Sequence, residues 1–243
     1  IKHSAQQASA GLVGRETLVD LILLSCVAEE HLLIIGPPGT GKSAVVRAVS
    51  DMFDSQYFEY LLGRFTEPSE LFGPIDLQKL KDGIVETSTK NMLPEADIVF
   101  LDEVFLGSTA ILNALLGILN ERTFRRGQTQ LKCPLRICVA ASNHLPQDDS
   151  LAAFADRFLV HYFVDNVPDS QLESLLENGW QYQYKTAIEK IELSHLDQLT
   201  AACRQADMSG IIRPLADCIR LLRKANILLS DRRIIKAQRL IAA

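Results

Sequence analysis

Long apolar runs are missing from this chain of 243 residues. No stretch approaches 18 uninterrupted apolar residues, so the sequence predicts no transmembrane segment. An excess of basic side chains is missing as well, because 25 Lys and Arg stand against 30 Asp and Glu and the formal net charge is −5. A chain without a broad positive surface lacks the usual electrostatic means of holding nucleic acid, so we do not expect nucleic acid as a partner.

Paired cysteines are not evident either. The five cysteines are odd in number, scattered and set in apolar surroundings: Cys26, Cys133, Cys138, Cys203 and Cys218. This pattern predicts reduced core residues rather than a disulfide framework or a metal site. No signal sequence is visible, and both observations favour a cytoplasmic protein. The first residue is Ile1 rather than Met, so we expect the chain to be a fragment.

The first two thirds of the chain alternate apolar runs with helical periodicity, which is typical of a parallel sheet with helices on both faces. The predicted strands cover residues 31–35, 57–62, 98–101, 136–141 and 158–164, and the predicted helices cover residues 15–30, 41–53, 68–72 and 108–122. After a turn-rich joint at residues 166–170 only helical signals follow, among them the cap residue Ser230. The sequence therefore predicts an α/β core at residues 1–167 and a small all-α domain at residues 168–243.

Two insertions interrupt the predicted sheet. Residues 77–94 contain Lys81-Asp82-Gly83 between alternating segments, and residues 123–134 contain Arg126-Gly127 in a similar setting. Such dipeptide signals are typical of tight turns that join antiparallel strands. We therefore expect two hairpin insertions, either as surface connections or as moving parts of the molecule.

A glycine-rich segment follows the first buried strand and opens the next helix. It has the pattern G-x-x-x-x-G-K-S and consists of Gly36, Pro37, Pro38, Gly39, Thr40, Gly41, Lys42 and Ser43. The glycines allow successive backbone N–H groups to face an anion, and the positive end of the helix dipole points to the same place. The segment therefore predicts a nucleotide phosphate loop, with Lys42 on the β- and γ-phosphates and the Ser43 hydroxyl on Mg²⁺.

Polar residues also follow the next two buried strands. Asp102 and Glu103 end the run at residues 98–101, and Asn143 comes after the run at residues 136–141. The carboxyl ends of parallel strands meet at one edge of a sheet, so we expect these side chains beside the phosphate loop. Asp102 is predicted to hold Mg²⁺ through water, Glu103 to activate the attacking water, and Asn143 to position that water.

In this order the motifs resemble those of the AAA+ ATPases, and more closely those of the MoxR family. The residues that carry the resemblance are the phosphate loop, Asp102-Glu103, Asn143, Asp156-Arg157-Phe158 and Ser230-Asp231-Arg232-Arg233. The linking segments are similar to the RavA branch: Arg64-Phe65-Thr66, Leu71-Phe72-Gly73-Pro74, Leu93-Pro94-Glu95-Ala96, Leu112-Asn113-Ala114-Leu115-Leu116 and Asn120-Glu121-Arg122. The resemblance covers essentially the whole chain.

The resemblance implies a P-loop AAA+ core followed by a helical lid, in subunits that form a ring, usually a hexamer, with ATP or ADP and Mg²⁺ at the subunit interfaces. It implies that Asn143 is sensor 1, Arg157 the arginine finger, Arg232 the sensor-2 arginine, and that Leu12, Val13 and Gly14 contact the adenine. It also implies ATP hydrolysis coupled to the chaperone-like remodelling or maturation of protein partners, among them a von Willebrand factor A domain protein.

Some assignments stay open at this point. Arg157 could instead form an ion pair with Asp156, and Arg233 could take the place of Arg232. The basic residues Arg125 and Arg126 of the second insertion keep a DNA-dependent motor as an alternative function, whereas a binding scaffold without turnover would require a misplaced Glu103 or Asn143.

Overall fold

The structure is a computed structural model that describes residues 2–182 and 190–243. Five parallel strands form its main sheet, in the order β2-β3-β6-β1-β7, and β4 and β5 form a separate antiparallel hairpin. The strands are β1 (Leu32–Ile35), β2 (Tyr57–Leu61), β3 (Ile98–Asp102), β4 (Thr123–Arg126), β5 (Thr129–Lys132), β6 (Ile137–Ser142) and β7 (Val160–Phe163). Four of the five sheet strands lie within one residue of the predicted bounds, whereas β7 begins two residues later and ends one residue earlier than predicted.

Helices cover both faces of this sheet and continue beyond it. In the described residues they are α1 (Lys2–Ser9), α2 (Glu16–Ala28), α3 (Lys42–Ser50), α4 (Pro68–Phe72), α5 (Leu77–Lys81), α6 (Thr109–Glu121), α7 (Asp149–Ala155), α8 (Leu172–Tyr182), α9 (Leu193–Arg204), α10 (Ser209–Lys224) and α11 (Asp231–Ala242). Each of them is too short or too polar to cross a lipid bilayer. The chain is thus an α/β core followed by helices, as the sequence predicts.

The side-chain alternation of the strands creates two apolar layers. Leu32 and Ile34 of β1 point to the layer formed with α1, α2 and α3, whereas Leu33 and Ile35 point to the layer formed with α4, α6 and α7. Both layers are closed to water, which explains why β1, β3 and β6 read as continuous apolar runs. The sheet is therefore a rigid platform with functional residues at its two edges.

The two insertions differ from each other. The second is the predicted hairpin, since β4 and β5 pair from Thr123 and Lys132 to Arg126 and Thr129. The first is not a pair of strands: its first limb is the helix α5, because the Asp76 carboxylate caps the N–H groups of Gln78 and Lys79. The chain then turns at Gly83, at φ +77°, and one antiparallel bridge joins Ile75 to Thr87.

The last helices dock on the amino edge of the sheet, the edge at which the parallel strands begin. Helices α9 and α11 contact α2, and two carboxylates just before β1, those of Glu29 and Glu30, accept from basic side chains of these helices. Glu30, which is fully buried, binds Lys236 at 2.5 Å, and Glu29 forms an ion pair with Arg204. Asp197 of α9 lies 2.6 Å from the guanidinium of Arg136, which directly precedes β6.

The cysteines are free thiols in the described structure. Cys26, Cys133 and Cys138 are buried, and burial raises the pKa of Cys26 and Cys138 to about 12. The prediction of core cysteines is wrong for Cys218, which is exposed on α10, and only partly right for Cys203, because these helices bury little apolar surface.

Candidate active site

The glycine-rich segment connects β1 to α3 at the carboxyl edge of the sheet, as its sequence predicts. Gly39 and Gly41 both have φ +78°, a left-handed conformation that costs a side-chain-bearing residue strain. Lys42 is 7% exposed, and its Nζ donates to the carbonyl oxygens of Gly36 at 2.8 Å and Pro37 at 2.9 Å. The phosphate loop thus surrounds the Lys42 ammonium group and fixes its position at the place where an anion would bind.

The start of this loop leaves no room for a side chain. A Cβ atom built on Gly36 would lie 2.1 Å from the carbonyl oxygen of Val164, which follows β7. The N–H of Gly36 donates to the Ser142 carbonyl oxygen at the end of β6, at 3.1 Å. Close approach of three strand ends therefore requires glycine here, in addition to any contact with phosphate.

Asp102, Glu103 and Asn143 come together at the same edge. β3 and β6 are neighbours in the sheet, and the Asn143 Nδ2 donates to Glu103 Oε1 at 2.5 Å. Glu103 has φ +50°, and its N–H donates to Asp102 Oδ1 at 2.9 Å. The strained turn directs the Glu103 carboxylate toward β6, so an amide that can hold water lies against a carboxylate that can accept a proton.

The donor chemistry at this edge fits Mg²⁺. Ser43, the second residue of α3, and Asp102, the last residue of β3, are both half-buried. Mg²⁺ takes oxygen ligands and keeps several waters, so one carboxylate and one hydroxyl beside a phosphate loop are sufficient protein ligands. A cavity of about 380 Å³ adjoins the loop and is lined in part by Gly36, Pro37, Asn143 and Asp165.

The segment predicted to contact adenine lies next to the phosphate loop. Leu12 is buried, and Gly14 has φ +68°, so the chain turns sharply before α2. The Arg15 side chain donates both to the Gly14 carbonyl oxygen and to that of Thr40, at 2.9 Å each. Leu12, Val13 and Gly14 are thus brought to the edge that carries Lys42.

Arg157 and Arg232 are brought to each other, at the opposite edge. Arg157 precedes β7 and therefore lies at the amino edge, where Nη1 donates to the Ala153 carbonyl oxygen at 3.1 Å and Nε is buried without a partner among the described residues. Burial and the charge of nearby Arg232 lower the pKa of Arg157. The two positive charges are therefore near enough to repel each other.

The neighbouring residues have other partners in the structure. Asp156 does not bind Arg157: both of its carboxylate oxygens accept from the Ser230 hydroxyl, at 3.0 and 2.9 Å. Ser230 also caps α11, as predicted, by accepting from the Arg233 N–H at 3.3 Å. The Arg233 side chain is occupied with the Leu159 carbonyl oxygen at 2.9 Å, whereas Arg232 is exposed.

Comparison with known proteins identifies the family. The model of the "MoxR domain in the MoxR-vWA-beta-propeller ternary systems" matches residues 1–201. The chain belongs to the MoxR family of AAA+ ATPases. An uncharacterised protein of Methanocaldococcus jannaschii is 37% identical over 234 residues, which are 96% of this chain and 61% of that protein. This MoxR-family chain thus spans about three fifths of the length of that curated relative.

More distant matches agree with the family. The protein MoxR of Paracoccus denitrificans is 26% identical over 174 residues, covering 67% of this chain and 50% of that protein. The crystal structure of a "putative ATPase" from Cytophaga hutchinsonii superposes with a TM-score of 0.78 at 18% identity and covers 98% of this chain and 77% of that one. At this identity the superposition supports the fold alone.

Sequence reasoning missed two structural links of this MoxR-family chain. One is Arg15, which the sequence marks only as the charged residue before α2. The other is the contact between Asp156 and Ser230, which are 74 positions apart. Asp156 stood in the Asp-Arg-Phe motif and Ser230 was read as a helix cap, but no local pattern joins the two.

Proposed function

We propose that this MoxR-family protein hydrolyses ATP in a Mg²⁺-dependent reaction and uses the energy to remodel or mature protein partners. The hydrogen bond between Asn143 and Glu103, beside the phosphate loop, is the observation that carries the proposal. The half-buried carboxylate of Glu103, which the Asn143 amide holds at 2.5 Å, is suited to orient and deprotonate a water molecule at the γ-phosphate.

The residues have separate roles in this proposal. Lys42 exchanges its two loop carbonyls for the β- and γ-phosphates, and the backbone N–H groups of Gly39 and Gly41 face the same anion. Ser43 and Asp102 hold Mg²⁺, which neutralises phosphate charge. Glu103 takes the proton of the attacking water, and Asn143 keeps that water in line.

Charge at the γ-phosphate has to be neutralised from another subunit. Arg157 precedes β7 at the amino edge with Arg232 near it, and neither arginine forms an ion pair among the residues that the structure describes, although the charge of Asp156 also acts on Arg157. We propose that this pair serves the site of the next subunit, with Arg157 as the arginine finger and Arg232 as the sensor-2 residue. Each subunit then presents its site at one surface and its arginines at another, which is the heterologous contact that closes into a ring, here a hexamer.

The partner follows from the family. The matching family description names a von Willebrand factor A (vWA) protein alongside the MoxR domain, and we propose such a protein as the partner of this chain in the cytoplasm. We also propose that the chain belongs to the RavA branch, which its linking segments resemble. We also keep the boundary between core and lid at residues 167 and 168, and assign the β4–β5 hairpin to partner coupling.

The decisive measurement is the turnover of Glu103→Gln, with phosphate release and ATP affinity determined separately. We expect ATP affinity to be retained and turnover to fall by about 10²-fold or more, as for a lost general base. Omission of Mg²⁺ should stop turnover of the unchanged protein, and duplex DNA should leave it unaltered. Unchanged turnover of Glu103→Gln would remove the carboxylate from the reaction, and stimulation by DNA would favour the motor alternative.

A further inference from the structure

We propose that Arg15 is a positioning residue that ties the phosphate loop to the joint leading into the lid, so that nucleotide binding orders both together. The inference rests on the proposed nucleotide site and adds a residue and a route of coupling to it. It depends on one side chain whose hydrogen bonds reach three separate segments of the chain.

The three hydrogen bonds of Arg15 use three different nitrogen atoms. Nε donates to the Thr40 carbonyl oxygen at 2.9 Å, Nη1 to that of Gly14 at 2.9 Å, and Nη2 to that of Asp165 at 2.8 Å. Thr40 belongs to the phosphate loop, Gly14 to the segment proposed to contact adenine, and Asp165 to the end of β7. All three acceptors are backbone carbonyls, so the guanidinium fixes the course of the backbone.

The contact with Thr40 acts on the part of the loop that would face phosphate. In a trans peptide the carbonyl and the following N–H point in opposite directions. The Thr40 carbonyl oxygen, held by Arg15, therefore sets the direction of the Gly41 N–H, at a residue with φ +78°. Because that N–H is a proposed phosphate ligand, Arg15 positions it without touching the nucleotide.

The contact with Asp165 acts on the joint between core and lid. Asp165 is followed by residues 166–171, and α8 begins at Leu172. The joint returns to the same place, since a Cβ atom built on Gly14 would lie 3.2 Å from Oε1 of Gln171. One guanidinium thus holds the phosphate loop, the turn at Gly14 and the joint between core and lid. A shift of the phosphate loop therefore either moves the joint as well or breaks a hydrogen bond of Arg15.

Lysine cannot replace this side chain. A guanidinium presents a planar fork of donors in fixed directions, whereas an ammonium group is a single point on a flexible stem. Arg15→Lys keeps the charge and cannot span three carbonyls that lie in different segments. We expect it to weaken ATP binding about tenfold, which corresponds to about 1.4 kcal/mol.

The test compares Arg15→Lys with Arg47→Lys. Arg47 forms a bidentate contact with the two carboxylate oxygens of Glu59, at 2.6 and 2.7 Å. It lies on the exposed side of α3, and these hydrogen bonds do not involve the phosphate loop. ATP affinity is measured by calorimetry, and amide hydrogen exchange is followed with and without a non-hydrolysable ATP analogue. In the unchanged protein and in Arg47→Lys, the analogue should slow exchange both at residues 36–43 and at residues 164–172.

In Arg15→Lys, saturating analogue should slow exchange at residues 36–43 and leave residues 164–172 as in the nucleotide-free protein. Equal slowing of both segments in this variant would overturn the inference, and so would a lower melting temperature with unchanged affinity and an unchanged exchange pattern. Arg15→Gln serves as a second variant and has the same expected pattern. Failure of the unchanged protein to bind the analogue more tightly than Lys42→Ala would overturn the proposed function itself, and this inference with it.

Discussion

Replacement of Arg157 by Ala tests whether the site is completed by a second subunit. β1 and β7 are paired in parallel, with Leu32 opposite Val160 and Ile35 opposite Phe163. At about 3.3 Å per residue, four residues separate the two edges of the sheet by about 13 Å. Gly36 lies beyond one edge and the backbone of Arg157 beyond the other. The Arg157 side chain turns back along α7 to Ala153 and lines a cavity between α6 and α7.

The expected loss of turnover is large and the expected loss of stability is small. An arginine finger contributes roughly 10³ to 10⁵ in rate, or about 4 to 7 kcal/mol of transition-state stabilisation. Within the described structure Arg157 donates one hydrogen bond, to Ala153, and a single such bond contributes about 0.5 to 1.5 kcal/mol to folding. The charge of Arg232 repels that of Arg157 and helps to lower the pKa of Arg157, and the Ala substitution removes this repulsion.

The assay measures phosphate release at saturating ATP, ATP affinity and the melting temperature for Arg157→Ala and for a control, Arg220→Ala. Arg220 is exposed on α10 and pairs with Asp217 at 2.6 Å, so its loss should leave all three quantities nearly unchanged. Arg157→Ala should bind ATP and melt as the unchanged protein does, but its turnover should fall by about 10³-fold or more. Normal turnover of Arg157→Ala would refute the assignment.

Mixing two inactive variants decides between action within a chain and action between chains. Arg157→Ala subunits retain Glu103, and Glu103→Gln subunits retain Arg157. In equal mixtures about one quarter of the interfaces combine an intact Glu103 with an intact Arg157 from the neighbour, because the contact is heterologous. Activity should therefore return on mixing, and mixed rings that stay inactive after confirmed subunit exchange would contradict the proposed geometry.

Two further predictions concern folding. Gly36→Ala places a Cβ 2.1 Å from the Val164 carbonyl oxygen, so it should lower the free energy of unfolding by about 1–3 kcal/mol and the melting temperature by several degrees. In the control Gly179→Ala, on α8, the added Cβ meets no atom within 4 Å, and the melting temperature should not fall. Equal melting temperatures of the two variants would refute the packing argument. Burial, and after it the charge of Arg122, lowers the pKa of His31, and burial lowers the pKa of His161. Below the unfolded-state histidine pKa of about 6.5, the unfolded chain therefore binds more protons than the folded chain. Denaturant unfolding should show stability falling from pH 6.5 downward by up to about 1.4 kcal/mol per pH unit for each histidine, and His31→Gln should fall less steeply; identical pH profiles would contradict this.

The core could be predicted from sequence because its signals are local. β1, β3 and β6 are buried on both faces, so their apolar runs stand out without knowledge of their neighbours. The proximity of Asp102 and Asn143 followed from one rule, that parallel strands end at the same edge of a sheet. The hydrogen bond between Glu103 and Asn143 was not predicted, because it depends in addition on the pairing of β3 with β6 and on the turn at Glu103, which has φ +50°.

Errors arose where two local signals compete. Gly83 does form the turn that Lys81-Asp82-Gly83 indicates, but Asp76 caps a helix just before it, and the cap determines that limb. The helix α7 was missed for a related reason: Asp148 caps it by accepting from Ser150 and Leu151, yet the segment is only seven residues long and lacks a full apolar period. Short helices depend on their caps more than on their periodicity.

The position of the lid depends on contacts that no local pattern encodes. Glu30 is buried before β1, and its partner Lys236 lies 206 positions away. Movement of the lid would separate this pair, because Lys236 lies on α11. To bring Arg232 to the phosphate loop of its own chain, the lid would have to give up this pair and the bond from Ser230 to Asp156. In the proposed ring, Arg232 could serve a neighbouring subunit with both contacts kept, and this is our reason for proposing that both arginines act on the site of the next chain.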